Sequence, residues 1–261
     1  MTLIDTHCHL DFDAFDDDRT EVIERTQQAG ISKIINPGID LATSSEIIRL
    51  SETNPKIFAA VGIHPNSALT WEKETKNELQ QLARHPKVIA IGEIGLDFYR
   101  DRAPKDLQIS ILKEQLDIAN ELKLPVILHS RHAETEILDI MDNWIAEHRP
   151  VSSAPGVLHS YGGDEQTAHR AINMGFYIGI TGPVTFRNAE QLQHIVTKLP
   201  LKNLLIETDA PFLAPHPYRG KRNEPAYVRL VAEKIAMLKN QPLERIIEQT
   251  TANAKRLFQW S

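Results

Sequence analysis

The chain has 261 residues, 41% of them hydrophobic and 25% charged, proportions that are typical of a globular protein. Its formal net charge of −6 argues against a protein that binds nucleic acid through its overall charge, although a local basic patch is compatible with phosphate binding. The single cysteine excludes an internal disulfide. Since we find neither a signal peptide nor a run of 18 apolar residues, we expect a cytoplasmic protein that contacts no membrane.

Short apolar, β-branched runs alternate with longer amphipathic stretches along the chain. The runs are apolar throughout, as are the strands of a parallel sheet that is buried on both faces. They predict strands at Leu3–Asp5, Lys33–Asn36, Phe58–Gly62, Val88–Gly92, Val126–His129, Gly156–His159, Phe176–Ile180 and Leu204–Glu207. The stretches between and after them predict helices at Arg19–Ala29, Ser44–Glu52, Glu74–Arg84, Lys105–Leu122, Glu134–Ile145, Glu165–Met174, Glu190–Lys198, Ala226–Lys239 and Leu243–Phe258.

The order of these elements indicates the fold. Eight strands that alternate with helices over this length predict an α/β protein with a closed (β/α)8 TIM barrel, in a single domain that spans residues 1–261. The alternative is an open doubly wound sheet, which favours a glycine-rich phosphate loop after its first strand. Here that position reads His-Cys-His-Leu-Asp, which argues against a dinucleotide-binding fold.

Polar residues stand at the ends of six predicted strands, where a barrel core would continue with apolar ones. In a barrel these carboxyl ends meet at one mouth, where the active sites of this fold lie. The spacing of His7 and His9 points both side chains to one face, whereas Cys8 points away and is predicted to be a small buried residue. The strand-end imidazoles and carboxylates predicted to bind metal are His7, His9, Glu93, His129, His159 and Asp209.

This set of ligands predicts two divalent metal ions. Four imidazoles and two carboxylates at one mouth would be costly to desolvate without a cation, although a pair of hydrogen-bonded core histidines is the alternative for His-x-His alone. The ligand types suit zinc, manganese, magnesium or nickel. Two ions would activate a water and stabilise the leaving group. We predict that Glu93 bridges the ions, and that Asp209 binds one ion and accepts the proton of the attacking water.

Three further strand-end residues have weaker assignments. His64, in Gly-Ile-His-Pro, is predicted to contact the substrate or to lie behind the ligands, with a plain structural histidine as the alternative. Asp5 and Glu207 are predicted to orient ligating histidines from behind. For Asp5 the alternative is a capping or turn role.

The segment from residue 211 to residue 225 carries three cations on an otherwise acidic chain, namely Arg219, Lys221 and Arg222. We predict a phosphate-binding rim beside the metals, because arginine is suited to bidentate phosphate contacts. The alternative is a solvated loop. Arg131, shortly after His129, is predicted to add a further cation at the mouth.

Taken together, these motifs resemble the TatD family of metal-dependent deoxyribonucleases, within the amidohydrolase-like barrels. The resemblance runs along nearly the whole chain, and the order and spacing of its motifs are highly specific. The motifs are DTHCHL at 5–10, GIHP at 62–65, GEIGLDFYR at 92–100, PVILHSR at 125–131, LHSYGG at 158–163, ETDAP at 207–211 and RGKRNEP at 219–225.

The resemblance implies a phosphodiesterase that acts on DNA, often as an exonuclease, and that requires divalent metal. By the matching motifs, His7 and His9 would bind one ion with Asp209. The histidines of the fifth and sixth strands would bind the other ion, and Glu93 would bridge the two. His64 and the RGKR segment would lie near the scissile phosphate.

The sequence departs from the family pattern at two places. The family usually has Phe followed by Ser or Thr where this chain has Tyr161 and Gly162. It often has an acidic residue where this chain has His132. Both places line the expected mouth and bear on substrate preference, and we predict that Tyr161 contacts the substrate.

Two other functions compete with a DNA or RNA phosphodiesterase. The first is a hydrolase of carboxylic esters or amides, such as a lactonase or a deacylase acting on charged tRNA, because related barrels use the same ions to attack carbonyls. The cationic rim discriminates the two, since phosphate chemistry needs it more. The second is a non-catalytic binding module, which the complete ligand set argues against. We expect nucleic acid as the partner and no obligate protein partner.

Overall fold

The computed structural model of this chain describes residues 2–148 and 154–260. Its eight strands are parallel and form one sheet, in which each strand pairs with the next one along the chain. The strands are β1 (Leu3–Asp5), β2 (Ile31–Pro37), β3 (Ile57–Val61), β4 (Val88–Asp97), β5 (Val126–Arg131), β6 (Gly156–Leu158), β7 (Tyr177–Ile180) and β8 (Leu204–Ile206).

Helices follow the strands and cover the outside of the sheet. They are α1 (Arg19–Gln28), α2 (Leu41–Thr53), α3 (Thr75–Leu82), α4 (Lys105–Leu122), α5 (Glu134–His148), α6 (Glu165–Asn173), α7 (Glu190–Lys198), α8 (Val228–Lys239) and α9 (Leu243–Leu257). Among the described residues, no helix is both long and apolar enough to cross a membrane.

The first and last strands meet just beyond their carboxyl ends, and this contact closes the sheet. The N–H of Asp209 donates to the carbonyl of His7 at 2.9 Å, and the N–H of His9 donates to the carbonyl of Ala210 at 2.8 Å. Cys8 pairs with Ala210 in a parallel bridge. The predicted (β/α)8 barrel is therefore confirmed, and the residues that close it include three of the predicted metal ligands.

The apolar core has two large parts, on the two sides of the sheet, and a small third cluster around Ile63, beyond the end of β3. One cluster takes a buried side chain from every strand, which only the inside of a barrel can bring together: Ile4, Ile35, Ala60, Ala90, Ile127, Val157, Tyr177 and Leu205. The end of α9 and the partly buried Trp260 pack against this cluster. A larger cluster joins the outer face of the sheet to the helices. The mouth at the carboxyl ends is left for polar side chains.

The predicted element bounds differ from the structure chiefly at the mouth. β4 continues to Asp97, five residues beyond the predicted end at Gly92, because Gly95 lets it run close to β5. Gly95 has φ +143°, and a Cβ there would lie 2.0 Å from the carbonyl oxygen of His129. β6 and β8 each end one residue earlier than predicted, so His159 and Glu207 lie just past their strands.

Candidate metal centre

Two histidines after β1 and two carboxylates form one side of the site. The Nε2 atoms of His7 and His9 lie 3.2 Å apart, and they lie 3.4 Å and 3.5 Å, respectively, from Oε2 of Glu93. Oδ1 of Asp209 lies 3.7 Å from Nε2 of His7 and 3.6 Å from Nε2 of His9. Four possible ligand atoms from three distant segments therefore converge here.

The other oxygen of Glu93 faces three histidines. Oε1 lies 2.8 Å from Nδ1 of His129, 2.8 Å from Nε2 of His159 and 3.4 Å from Nε2 of His64. The facing nitrogens of His129 and His159 lie 3.4 Å apart. Glu93 is only 3% exposed and stands at the centre of the whole cluster.

The structure thus brings all six predicted ligands together and adds His64. Ligand atoms close enough to share an ion occur in three groups: His7–His9–Glu93, His7–His159–Asp209 and His64–Glu93–His129. The ring of His159 stacks on that of His7, with centroids 3.8 Å apart. The pair His7–His9 and the pair His129–His159 are therefore not separate, because His159 contacts both His129 and His7.

The donor set fits divalent cations. Neutral imidazole nitrogens and carboxylate oxygens are the common protein ligands of zinc, manganese and nickel. Burial lowers the pKa of His7 well below its usual value, which favours the neutral ring that can bind a metal, and it also lowers the pKa of His64, so that this ring is neutral too. Burial opposes the charge on Glu93, but the surrounding imidazoles, His159 first, hold its pKa well below the usual range.

The pKa values of Asp209 and His9 are both raised, but from different causes. Burial raises the pKa of Asp209, and the neighbouring imidazoles offset only part of that shift. Burial also disfavours the charged form of His9, but contacts with Glu93 and Asp209 outweigh it and raise the pKa of His9 to about 9. Asp209 has φ +55°, a conformation that costs free energy in a non-glycine residue and sets its carboxylate beside the histidines.

Asp5 acts on the backbone of the site rather than on a histidine ring. Its fully buried carboxylate accepts from the N–H of His7 at 3.3 Å and from the N–H of Thr208 at 3.0 Å. It also accepts from the Thr208 hydroxyl at 2.5 Å. Burial raises the pKa of Asp5 to about 8. Asp5 thus holds His7 through its main chain and links the end of β1 to the segment after β8.

Glu207 links three strand ends in the same way. Its carboxylate accepts from the hydroxyl of Thr6 at 3.1 Å and from the N–H of Ser160 at 2.9 Å, next to His159. Burial raises the pKa of Glu207 to about 7. As with Asp5, the carboxylate hydrogen-bonds to groups beside the ligand candidate rather than to its ring nitrogens.

Asp97, for which the sequence predicts no role, contacts the back of a ligand candidate. It is 1% exposed at the end of β4, and its Oδ2 lies 3.4 Å from Nε2 of His129. The N–H groups of Tyr99 and Arg100 and the side chain of Asn66 hold the carboxylate in place, at 2.9–3.1 Å. Its spacing from Glu93, four residues along one strand, was the signal that could have identified it.

Three of the predicted rim cations are free to meet an anion. The guanidinium of Arg131 lies 4.0 Å from the centre of the Tyr99 ring, and that of Arg219 lies 4.4 Å from the centre of the Phe186 ring. Lys221 is exposed. Within the ranges 2–148 and 154–260, none of the three has a carboxylate partner.

Arg222 and Tyr161 depart from their predicted role as substrate contacts. Arg222 forms a bidentate ion pair with Asp18, at 2.6 Å and 2.7 Å, and also donates to the carbonyl of Ala14. The ring of Tyr161 is buried, and its hydroxyl donates to the carbonyl of Asp164 at 2.7 Å, at the start of α6. Arg222 anchors the rim segment to the protein, and Tyr161 packs beneath the mouth.

Comparison with known proteins agrees with this geometry. The family described as TatD related DNase matches residues 4–259. The chain belongs to this family. It is 42% identical over 256 residues to a Bacillus subtilis protein named as an uncharacterized metal-dependent hydrolase, YabD, with 98% of each chain covered. It is 32% identical to a Mycobacterium tuberculosis protein named TatD, likewise as an uncharacterized metal-dependent hydrolase, over 98% of this chain and 97% of that one.

The structural comparison leads to the same family. The crystal structure of YjjV, a TatD homologue from Escherichia coli, superposes with a TM-score of 0.92. It covers 98% of both chains at 34% identity. This chain therefore shares the barrel of that homologue over 98% of its length.

We expect Asp97→Asn to weaken metal binding about 10- to 100-fold, since groups that orient a ligating histidine typically contribute that much. The substitution keeps the size of the side chain but removes the negative charge beside Nε2 of His129. Calorimetric titration of metal-stripped protein with Zn²⁺ and Mn²⁺ measures the change. Asp101→Asn is the matched control, with the same change of charge at an exposed position of the next segment. Equal affinities in the two variants would contradict the assignment.

Proposed function

We propose that this protein is a metal-dependent hydrolase that cleaves phosphodiester bonds of DNA, as an exonuclease. The observation that carries the proposal is the position of Glu93, whose two carboxylate oxygens face different sets of histidines. Membership of the TatD-related DNase family and the names of its relatives support the same chemistry. The exonuclease mode rests on the resemblance alone.

Two divalent ions would share Glu93. His7 and His9 with Asp209 would hold one ion beside Oε2, and His129 and His159 would hold the other beside Oε1. When bound, such ions supply Lewis acidity that lowers the pKa of water and stabilises charge on the attacked phosphate. Asp209 would accept the proton of the attacking water at its carboxylate, which is 16% exposed and adjoins both histidines that follow β1.

His64 is suited to donate a hydrogen bond. Its Nδ1 accepts from the N–H of Asn66 at 3.0 Å, so the neutral ring carries its proton on Nε2. That nitrogen lies 3.4 Å from Oε1 of Glu93, inside the cluster. We therefore assign the single N–H of His64 to a hydrogen bond with Glu93 or, when substrate is bound, with one of its oxygens, rather than assigning the ring to permanent metal binding.

The free cations favour a phosphate substrate over a carboxylic ester. Arg219 and Lys221 are exposed on the segment that follows Asp209, and no carboxylate in the described part of the chain neutralises them. Arg131 stands two residues beyond His129 on β5. A phosphodiester carries the negative charge that such a rim attracts, whereas a neutral ester or amide does not.

The first test compares two substrates on metal-stripped protein with ions added back. We expect cleavage of bis-p-nitrophenyl phosphate to return with Mn²⁺, Zn²⁺, Mg²⁺ or Ni²⁺, and to exceed cleavage of p-nitrophenyl acetate in kcat/KM. The release of nitrophenol is read by absorbance. Ester cleavage without phosphodiester cleavage would establish carbonyl chemistry in place of the proposal.

Glu93→Gln should reduce turnover by at least about 10³-fold and lower the bound metal, because it removes the one charge that both sets of ligands share. Metal content is measured by plasma mass spectrometry and turnover with the phosphodiester. Circular dichroism confirms that the variant folds. Wild-type turnover in a folded Glu93→Gln variant would show that Glu93 does not join the ligands.

The double variant Arg219→Ala/Lys221→Ala should raise KM for oligonucleotides. The slope of log KM against log salt concentration should fall by about 1.4, because each lost contact with a single strand contributes about 0.7. KM is measured between 50 and 200 mM salt. Lys198→Ala/Lys202→Ala removes the same charge before β8, at the opposite end of the barrel, and serves as control. Equal slopes for the two double variants would identify the rim segment as a solvated loop.

A further inference from the structure

An exposed aromatic surface adjoins the metal centre, and the chemistry described above does not use it. The ring of Phe12 stacks on that of the ligand candidate His9, with centroids 4.7 Å apart and planes at 27°. The ring of Phe212 lies 5.8 Å from that of Phe12, at 79°, and Phe212 is 51% exposed. Phe12 and Phe212, which we call the aromatic corner, thus carry an apolar surface from the ligands out to solvent.

The backbone holds Phe212 in place on both sides. Its N–H donates to the carbonyl of Asp209 at 2.9 Å, and its carbonyl accepts from the side chain of Asn223 at 2.7 Å. Asn223 is fully buried and also donates to the carbonyl of Thr208 at 2.8 Å. The exposure of the ring is therefore a property of an ordered segment, and a ligand that contacts it would not have to order the backbone first.

The next residue turns outward as well. Leu213 is 36% exposed and has φ +54°, a conformation that branched side chains rarely adopt. Its carbonyl oxygen lies only 2.0 Å from the position of a Cβ on Gly182, so a glycine is required there. The chain thus uses an unfavourable backbone conformation in the segment that presents two neighbouring apolar side chains at the mouth.

We propose that the aromatic corner is a stacking surface for the base of the nucleotide whose phosphate reaches the metal centre. This inference rests on the proposed phosphodiesterase function and adds the residues that bind the base. Every base offers a flat π-face, and stacking on an aromatic side chain tolerates any sequence. To reach the corner, a base must leave the stack of its own strand.

The surroundings of the corner favour a base over other apolar ligands. Arg219 and Lys221 belong to the same segment as Phe212 and lack carboxylate partners among the described residues. A ligand that matches both features has flat apolar rings joined to negative charges, and a nucleotide strand has both. An acyl chain would match the rings but not the cations.

The test is a double-mutant cycle in which one change removes the side chain of Phe212 and the other removes the base of the substrate. Wild type and Phe212→Ala are compared on a single-stranded oligonucleotide and on the same oligonucleotide with a tetrahydrofuran abasic nucleotide at the end that is cleaved. We expect Phe212→Ala to lower kcat/KM on the normal strand about 5- to 150-fold, the range of base–aromatic stacking. On the abasic strand we expect no further loss, because the side chain then has no base to contact.

Two further variants and two further measurements serve as controls for this test. Phe212→Trp should retain most of the activity, and Met237→Ala, which removes a 76% exposed apolar side chain on α8, should match wild type on both strands. Metal content and the melting temperature show that the centre and the fold are intact.

Other outcomes would overturn the inference. Equal losses in Phe212→Ala on both strands, or no loss on either, would exclude base stacking while the phosphodiesterase function stands. A wild-type dimer that Phe212→Ala converts to a monomer in sedimentation, with unchanged kinetics, would make the corner an interface between copies. Failure of wild type to cleave either strand would overturn the proposed function together with this inference.

Discussion

The contact between one buried carboxylate and five imidazoles is the constraint on which the rest of this structure depends. A charged glutamate in a barrel interior is costly unless it is paired, and removing one partner of such a cluster typically costs about 3–5 kcal/mol. Glu93 meets that requirement with histidines from four different strand ends. The barrel must therefore hold these ends in register, and the polar network behind the ligands serves that purpose.

That network works mainly through the backbone. Asp5 and Glu207 accept hydrogen bonds from main-chain N–H groups and from hydroxyls. Asp5 ties the segment after β8 to β1, and Glu207 ties it to the ends of β1 and β6. Asp97 is the exception, because its carboxylate approaches the ring of His129 itself. Asp5 and Glu207 thus hold the strand ends together, and Asp97 orients the ring of His129.

Much of this architecture could be read from the sequence. The strands and helices lie where the hydrophobic pattern predicts them, and the six ligand candidates meet because a parallel barrel brings strand ends together. The pattern missed what depends on contacts between distant segments. The sequence does not show that Arg222 pairs with Asp18, a residue about 200 positions away, so the pattern predicts that Arg222 binds phosphate. The extension of β4 to Asp97 depends on the close approach to β5 that Gly95 allows.

The seam that joins β1 to the segment after β8 has a consequence for the order in which the protein is made. His7 and Asp209, linked across it by a main-chain hydrogen bond, stand far apart in the sequence. In chain order the last imidazole of the centre, that of His159, comes at about three fifths of the length, and the carboxylate of Asp209 follows only after β8. The set of side chains around Glu93 is therefore complete only once the eighth strand has been synthesised.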